Sequence, residues 1–565
     1  MGSGLISIAM TGINAAQAGL LTTGNNISNL STEGYTRQRT VQASNPSVMT
    51  GAGGIGQGVH VVTVERMFSQ ALTTQVLNAQ TNVSALDTYY AQVSQIDNML
   101  ADKEAGLTPM MQKFFDAAQS VATNPSSISA RQSMVSAAET MTTGYRSMYE
   151  RLTEIEAGIN SQVRDTVGQI NTYTEQIADL NEKIISASAI GGQPANDLYD
   201  KRDKLVADLN ELVKVTVTSN TNGSYNVFVG SGQQLVVGSQ VTMMSAEPAS
   251  ADRSRNVIGL VGATGNIQEL PESLISGGKL GGLLSFRSEA LDASFNQLGL
   301  MATSFTQTFN AQHALGRDLL GNANGSASFV SQFFSVGAPD VIPNSKNATG
   351  SPTVSITLDP VTTNGTNYYS NLTASDYRLS FESGALTLTR LSDNTSWSGA
   401  SVGAINTQLA GNSQGFTLSA GAGTFANGDS YLIQPTRDAA RHFAISDKIA
   451  ADPRLIAAGL SEAVAKGGGG NTGTGSVSSV SYAAGFTTGS ALSLNYSAGS
   501  LSNFPAGSSV TVGTTTFPIT LSTDPVLYTA GATITINGGG WSGVSLVLSP
   551  SPGDSFTLAA ATGVE

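Results

Sequence analysis

Between Ser3 and Arg39 the chain repeats itself every seven residues. Ile6, Ile13, Leu20 and Ile27 form one stripe, and Ala9, Ala16, Thr23 and Leu30 form a second, alternating three and four residues from the first. That spacing is the a/d seam of a coiled coil rather than the broader apolar face of a globular helix. Small residues dominate the second stripe, and Gly12 and Gly19 flank it, so a partner backbone could approach closely. The segment ends at Asn25-Asn26-Ile27-Ser28-Asn29, where Asn and Ser compete with helix. Ser3 to Leu30 corresponds to a rod of roughly 40 Å. A single helix with one sticky seam needs another helix to lie on. The pattern leaves open whether that helix belongs to the same bundle or comes from elsewhere.

Further along, Gly34 to Val64 reads as a long hairpin, with the turn Gly51–Gly58 between extended segments. From Arg66 the helical period returns. Leu72, Ala79, Leu86, Val93 and Leu100 recur in sevens, accompanied by Val76, Val83 and Tyr90, and predict a bundle-facing seam. Thr108-Pro109 reads as N-cap and first residue of a short helix ending near Asn124-Pro125. A very long helix is predicted over Ser129–Ser188, with Met134, Met141 and Met148 as core filler and Ile159, Val163, Ile170 and Ile177 carrying the stripe on to Gly191-Gly192-Gln193-Pro194. Another helix follows over Asp197–Val213. Hairpins are expected from Lys214, with turns at Asn222-Gly223 and Gly230-Ser231-Gly232. Leu284, Leu291, Leu298 and Phe305 then return to sevens, up to Gly316.

The fold class that follows is multidomain α+β: an elongated long-helix bundle with β-hairpins, outer all-β domains after it, and an N-terminal coiled-coil helix. The divisions expected are an N-terminal helix and hairpin at 1–65, a bundle at 66–345 with a hairpin insertion at about 214–272, an outer β domain at 346–437, a helical connector and Gly-rich joint at 438–475, and a second outer β domain at 476–565. Trp397-Ser398-Gly399 and Trp541-Ser542-Gly543, each followed by a Gly-Asp-Ser turn, make the two outer blocks read as a repeat with an insertion.

Charged residues are only 12% of the 565, and the net charge is -13, which argues against a nucleic-acid partner. Cysteine is absent, so disulfides and thiolate metal sites are excluded. No run is expected to approach the length that spans a bilayer, and the first basic residue is Arg37, unlike a secretory signal. His60, His313 and His442 stand in three separate regions without convergent partners. Gly51–Gly56 matches a dinucleotide-binding pattern but precedes a strand. Gly411-Asn412-Ser413-Gln414-Gly415 matches G-x-S-x-G and also leads into a strand. Gly277-Gly278-Lys279 lacks the rest of a phosphate loop, and Asp318–Gly325 lacks the carboxylate spacing of a calcium loop. No enzyme, cofactor or metal is expected.

Ala9-Met10-Thr11-Gly12-Ile13-Asn14-Ala15-Ala16-Gln17, Asn25-Asn26-Ile27-Ser28-Asn29 and Gly34-Tyr35-Thr36-Arg37-Gln38 together resemble the N-terminal signature of the bacterial flagellar axial proteins, and most closely their hook-associated branch. Pro194–Asp203, Gly281–Arg287, Leu298-Gly299 and Phe309–His313 extend the resemblance over most of 1–320. It implies a structural adaptor at the junction of hook and filament, placed outside the cell by flagellar type III export without a cleaved signal. The partners implied are the hook protein, a second junction protein, further copies in a ring, and an export chaperone bound to a C-terminal segment. The resemblance also implies a C-terminal return helix covering the opening seam, which this chain does not display before Glu565. On that basis residues 1 to about 65 are expected to be mobile in an isolated monomer. Ile6, Ala9, Ile13, Ala16, Leu20, Thr23, Ile27 and Leu30 are the expected assembly seam, with Tyr35 and Arg37 as candidate subunit contacts. The alternatives are a hook or rod subunit, a surface adhesin using the outer β domains, and a hydrolase built on Ser413.

Overall fold

The computed structural model describes residues 2–51, 53–100, 106–191, 194–324, 326–364, 367–460, 463–467, 476–487 and 491–560. Its helices are α1 (Gly2–Ser28), α2 (Gln70–Leu100), α3 (Leu107–Thr123), α4 (Ile128–Gly191), α5 (Asn196–Leu212), α6 (Gly278–Ser285), α7 (Asp292–His313), α8 (Val402–Ala410) and α9 (Asp447–Ala451). Expected Gly192, Gln193, Gly325, the joint Gly468–Gly470 and the end Ala561–Glu565 lie outside the described residues.

α4 is the spine. Its 64 residues span about 95 Å, and its heptad stripe is buried throughout: Met134, Met141, Met148, Leu152, Ile159, Val163, Ile170, Ile177 and Ile184. Each such side chain stabilises the fold by about 1.5–3 kcal/mol when fully removed from water. At one end Phe114 of α3 meets Phe305, Phe309, Phe333 and Phe334 edge to face, with ring centroids 5.4–6.2 Å apart. α6 and α7 are joined by a π-turn, Phe286–Leu291, so the stripe Leu284, Leu291 and Leu298 stays buried across the join. The insertion after α5 holds two antiparallel sheets, one of four strands and one of three.

Four expectations need correcting. α3 begins at Leu107 with Gly106 as its uncapped N-terminus, so Thr108 and Pro109 lie within the first turn, where a missing N–H costs nothing. The stretch from Asp438 to Ala465 is not one helix. It is a 3-10 turn (Ala439–His442), a strand residue pair Ala444-Ile445 on Phe334-Ser335, the five-residue α9, and a second turn at Pro453–Leu455. Nor is it merely a connector, because Ala440, Phe443, Ile449 and Ile456 are buried in the bundle core. Phe443 packs on Tyr145 at 5.2 Å.

The third correction concerns α2. Leu72, Val76, Ala79, Val83, Leu86 and Tyr90 point outward, the large ones being 56–74% exposed. α2 instead turns Leu77, Thr81, Tyr89 and Ile96 inward, together with half-buried Ala85; of the predicted stripe, Val93 packs on the core, and the side chain of Leu100 lies outside the described residues. The cause is α6, whose Gly282 sits so close that an added Cβ would lie 2.4 Å from the Ala85 carbonyl oxygen. A close backbone approach at Ala85 sets the rotation of α2, and most of the predicted seam is left outside.

The fourth concerns the outer blocks. The first has the sheet order Asp340–Pro343, Ser430–Gln434, Tyr377–Glu382, Ala385–Arg390, Ser396–Gly399, with Val354–Leu358 paired to Phe416–Ala420 beside it. The second has Ala463–Gly467, Ser555–Ala560, Leu492–Ser497, Ser500–Ser502, Val526–Leu527, with Ser476–Thr487 paired to Ser542–Ser549. The order is the same. Ser383-Gly384 and Ala498-Gly499 make matching positive-φ hairpin turns. The Gly-Asp turns also match: Phe381 N–H donates to Asp429 O at 2.9 Å, and Tyr496 N–H to Asp554 O at 2.8 Å. The tryptophans do not correspond, since Trp397 lies in the fifth strand of its sheet while Trp541 precedes Ser542–Ser549 in the other sheet. The repeat is one of topology and turn chemistry, not of the Trp tripeptides. Ser413 serves a turn: its hydroxyl donates to Asp359 Oδ2 and accepts from Gly415 N–H, both at 3.1 Å.

Candidate assembly interface

α1 lies on the antiparallel pair Gln38–Ser44 and Val59–Arg66. The face it uses is Ile8, Thr11, Ala15, Ala18, Gly19, Thr22 and Asn26, a three-and-four spacing offset from the seam. Gly58 makes the approach possible. It has φ +83, and a Cβ there would stand 2.1 Å from the Thr11 hydroxyl, which accepts the Val59 N–H at 3.3 Å. The seam residues Ile6, Ala9, Ile13, Ala16, Leu20, Thr23, Ile27 and Leu30 are exposed, with Ile13 at 50% and Leu30 at 85%. Gly12 faces open space, while Gly19 lies near Thr40.

Asn26 is the clamp between helix and hairpin. Its amide donates to Gln38 O at 2.9 Å, and its Oδ1 accepts the Gln38 N–H at 2.9 Å and the Tyr35 hydroxyl at 2.7 Å. Tyr35 is thus turned inward on the chain's own helix, and burial together with nearby Asp200 raises its pKa. Arg37 is exposed. The sequence placed Asn26 in a helix-stop cluster and assigned it no partner; its reach to a residue twelve positions on has no periodic signature.

The hairpin in turn is fastened to α5. Asp200 accepts from Thr36 N–H at 3.1 Å and from Arg66 at 2.7 Å, and Arg66 also donates to Asp203 at 2.8 Å. The Arg66 guanidinium lies over the Phe68 and Tyr199 rings, and Asn196 donates to Val64 O at 2.7 Å. Lys204 pairs with Glu33 at 2.6 Å. These contacts explain what the segment from Asn196 to Lys204 does. They also show that the hairpin, expected to lack packing partners, is tied to the bundle; the outer face of α1 is uncovered, as are Val48, Met49 and Ile55 near the hairpin tip.

A second uncovered surface is the outward stripe of α2. Beyond that stripe, the C-terminal end of α2 borders a groove against α3 and α4, with a cavity of ≈750 Å³ lined by Met99, Met110, Thr140, Gly144, Ser147 and Arg151 and an adjoining one of ≈410 Å³. The helix Gly4–Ser28 carries no charged residue and has a mean hydropathy of 1.4 over its best stretch. By length and composition it could cross a bilayer, which corrects the expectation that no run approaches that length. Gly, Ser and Thr interrupt the apolar runs, yet without a charged residue the Ala, Ile and Leu between them keep the average high.

Four family models match the chain in order: a flagella basal body rod protein over residues 6–36, the flagellar hook-associated protein FlgK helical domain over 93–329, a flagellar hook-associated protein 1 D2-like domain over 342–435, and its D3 domain over 462–560. Flagellar hook-associated protein 1 of Salmonella typhimurium strain LT2 is 39% identical over 439 residues, covering 77% of this chain and 76% of that protein. The Escherichia coli K12 protein of the same name is 38% identical with the same coverage. The structure of the flagellar hook junction protein FlgK from Burkholderia pseudomallei superposes with a TM-score of 0.73 at 36% identity, covering 86% of this chain and 88% of that one. With the helix, spine and two outer β units each matched in sequence order, this chain belongs to the flagellar hook-associated protein 1 family.

Proposed function

We propose that this chain is a structural adaptor subunit of the bacterial flagellum, joining hook to filament by helix packing and carrying out no catalysis. The observation that carries this reading is the split character of α1: one face is clamped to the hairpin through Asn26 and Thr11, while the heptad seam from Ile6 to Leu30 faces outward. A docked helix with an uncovered seam presents a ready half of a coiled coil. The outward stripe of α2, and the groove between the end of α2 and α4, offer further uncovered surface for helix packing. In this reading the divisions are 1–65 for the axial helix and hairpin, 66–345 for the bundle, and 346–437 and 476–565 for the outer domains, with 438–475 between them. A heptad helix from the C-terminal side covers the α1 seam, as the family resemblance implies.

The partners in this reading are the hook protein on one side, a second junction protein on the other, and further copies in a ring. An export chaperone would hold the C-terminal side before assembly. The subunit reaches the extracellular flagellum by type III export without a cleaved signal, with no cofactor, nucleic acid or membrane involved. The test is Ile13→Asp combined with Leu20→Asp in a strain otherwise lacking this protein. The expected outcome is loss of motility and of the junction on the hook, with the purified variant unfolding like the parent. Normal filaments in that strain would overturn the proposal.

A further inference from the structure

The first outer β unit returns to the bundle at Arg437, and around that residue lies a buried set of charges drawn from every element that meets there. Arg437 donates to Asp292 of α7 at 2.9 Å and to Glu156 of α4 at 3.2 Å, and lies 3.5 Å from Asp376 at the entrance to strand Tyr377–Glu382. Its guanidinium sits 4.4 Å from the Phe295 ring centroid. Arg255, from the turn before strand Asn256–Val261, binds both oxygens of Asp292 and approaches Glu156 at 3.4 Å and Asp252 at 3.3 Å. The node therefore holds four carboxylates, Glu156, Asp252, Asp292 and Asp376, against two guanidiniums. Asp376 Oδ1 is buried without a hydrogen-bond partner, and so is Oδ1 of Asn296, the α7 side chain that faces it.

The backbone beside Arg437 is seated by a second device. Gly299 of α7 lies under Thr436, where a Cβ would stand 1.8 Å from the Thr436 carbonyl oxygen. Next to it the Tyr149 hydroxyl donates to Asp438 at 2.6 Å. Bundle and outer unit thus meet at this arginine, flanked by fitted backbone, and again at the chain's entry to the unit, where Ser345 N–H donates to Ser250 O at 2.8 Å and exposed Lys346 pairs with Glu269 at 2.6 Å.

We propose that Arg437 is the positioning residue that fixes the first outer β unit on the bundle, and that this seating loosens as Asp376 gives up its proton. Two buried guanidiniums cannot neutralise four carboxylates, and an unpaired buried charge is strongly destabilising. Burial raises the Asp376 carboxyl to about 6, with Asp292 adding to the rise and Arg437, Arg255 and Asn296 opposing it. Burial likewise raises Glu156, with Arg437 and Arg255 opposing and Asp292 and Asp252 adding. Asp292 is held below its ordinary range despite its burial, by Arg255 and Arg437. A carboxyl raised only in the seated state binds its proton more tightly there. Seating is therefore strongest below the ordinary carboxylate range and weakens as pH rises through about 6.

The absence of native cysteine allows a clean test on the full chain. Spin labels at Asp165→Cys on α4 and Ala422→Cys on the outer unit, both exposed, report the distance between the two bodies by pulsed electron resonance. The parent is expected to give a narrow distance distribution at pH about 5 and a broader one at about 8. Asp376→Asn, which keeps the shape and removes the charge, is expected to remain narrow at both. Arg437→Met is expected to be broad at both, and Arg437→Lys to recover part of the narrowing. Superimposable distributions for the parent and a folded Arg437→Met would overturn the positioning role. An unchanged pH response in Asp376→Asn would overturn the proton dependence, and that arm decides even if Arg437→Met does not fold.

Discussion

α4 and α1 are written in the same seven-residue grammar and meet opposite fates. In α4 the stripe from Met134 to Ile184 is buried against helices and sheets of the same chain. In α1 the stripe from Ile6 to Leu30 faces outward, while the helix is held by a different, mostly small and polar face. α2 belongs with α1, because Gly282 draws in the face carrying Ala85 and leaves Leu72, Val83 and Leu86 outside. Heptad period reports that a helix has a stripe to bury. It does not report who buries it.

The largest expected effect separates the two classes directly. Ile159→Ala in α4 should cost about 2–5 kcal/mol of chemical-denaturation stability, whereas Ile13→Ala in α1 should stay within about 0.5 kcal/mol. A comparable loss at Ile13 would mean that its seam is covered within the isolated chain. Next comes the contact that inverts α2. Gly282→Ala should cost about 1–3 kcal/mol by overpacking against the Ala85 carbonyl, and α2 should show the faster amide exchange that follows from its displacement. Asn26→Ala should cost about 1–3 kcal/mol, from the unpaired Gln38 amide and carbonyl, with faster exchange in α1 and the hairpin but not in α4.

A smaller and graded effect lies in pH. His313 is buried and neutral, accepting the Ala457 N–H at 2.9 Å, and burial holds its pKa down to about 4 against an ordinary 6.5. On acidification the unfolded chain takes up the proton first, so stability should fall between pH 6.5 and 4, with a slope of at most ~1.4 kcal/mol per pH unit. His313→Gln should remove that slope. Asp376 works in the other sense, its contribution being lost as pH rises through about 6, so Asp376→Asn should steepen the acid loss in the same measurement. The smallest effect is expected at Leu86→Gln, which should leave isolated-chain stability within about 0.5 kcal/mol while weakening assembly.

The elements strongest in local pattern were legible in the sequence. The length of α4, the hairpin turns at Asn222-Gly223 and Gly230-Ser231-Gly232, and the buried methionines follow from period and turn chemistry alone. What the sequence did not yield depends on distance along the chain. The pull of Gly282 on Ala85, the reach of Asn26 to Gln38, and the burial of Phe443 under Tyr145 join residues that no local window contains. The segment after Asp438 misled for a related reason: Ala, Ile and Leu suggested helix, but Pro453 and the pairing of Ala444-Ile445 with Phe334-Ser335 divide it. Of the candidate interface, the seam residues from Ile6 to Leu30 are exposed. Tyr35 instead serves the internal clamp at Asn26.

The claim at the centre is that α1 presents its seam to a partner outside the described chain. Amide exchange across Ile6–Leu30, compared between the isolated chain and junctions assembled on hooks, tests it most directly. The expected result is fast exchange in the isolated chain, beside slow exchange in Met134–Ile184, and strong protection of Ile6–Leu30 on assembly. Slow exchange throughout Ile6–Leu30 in dilute isolated chain, or no added protection in the junction, would contradict it.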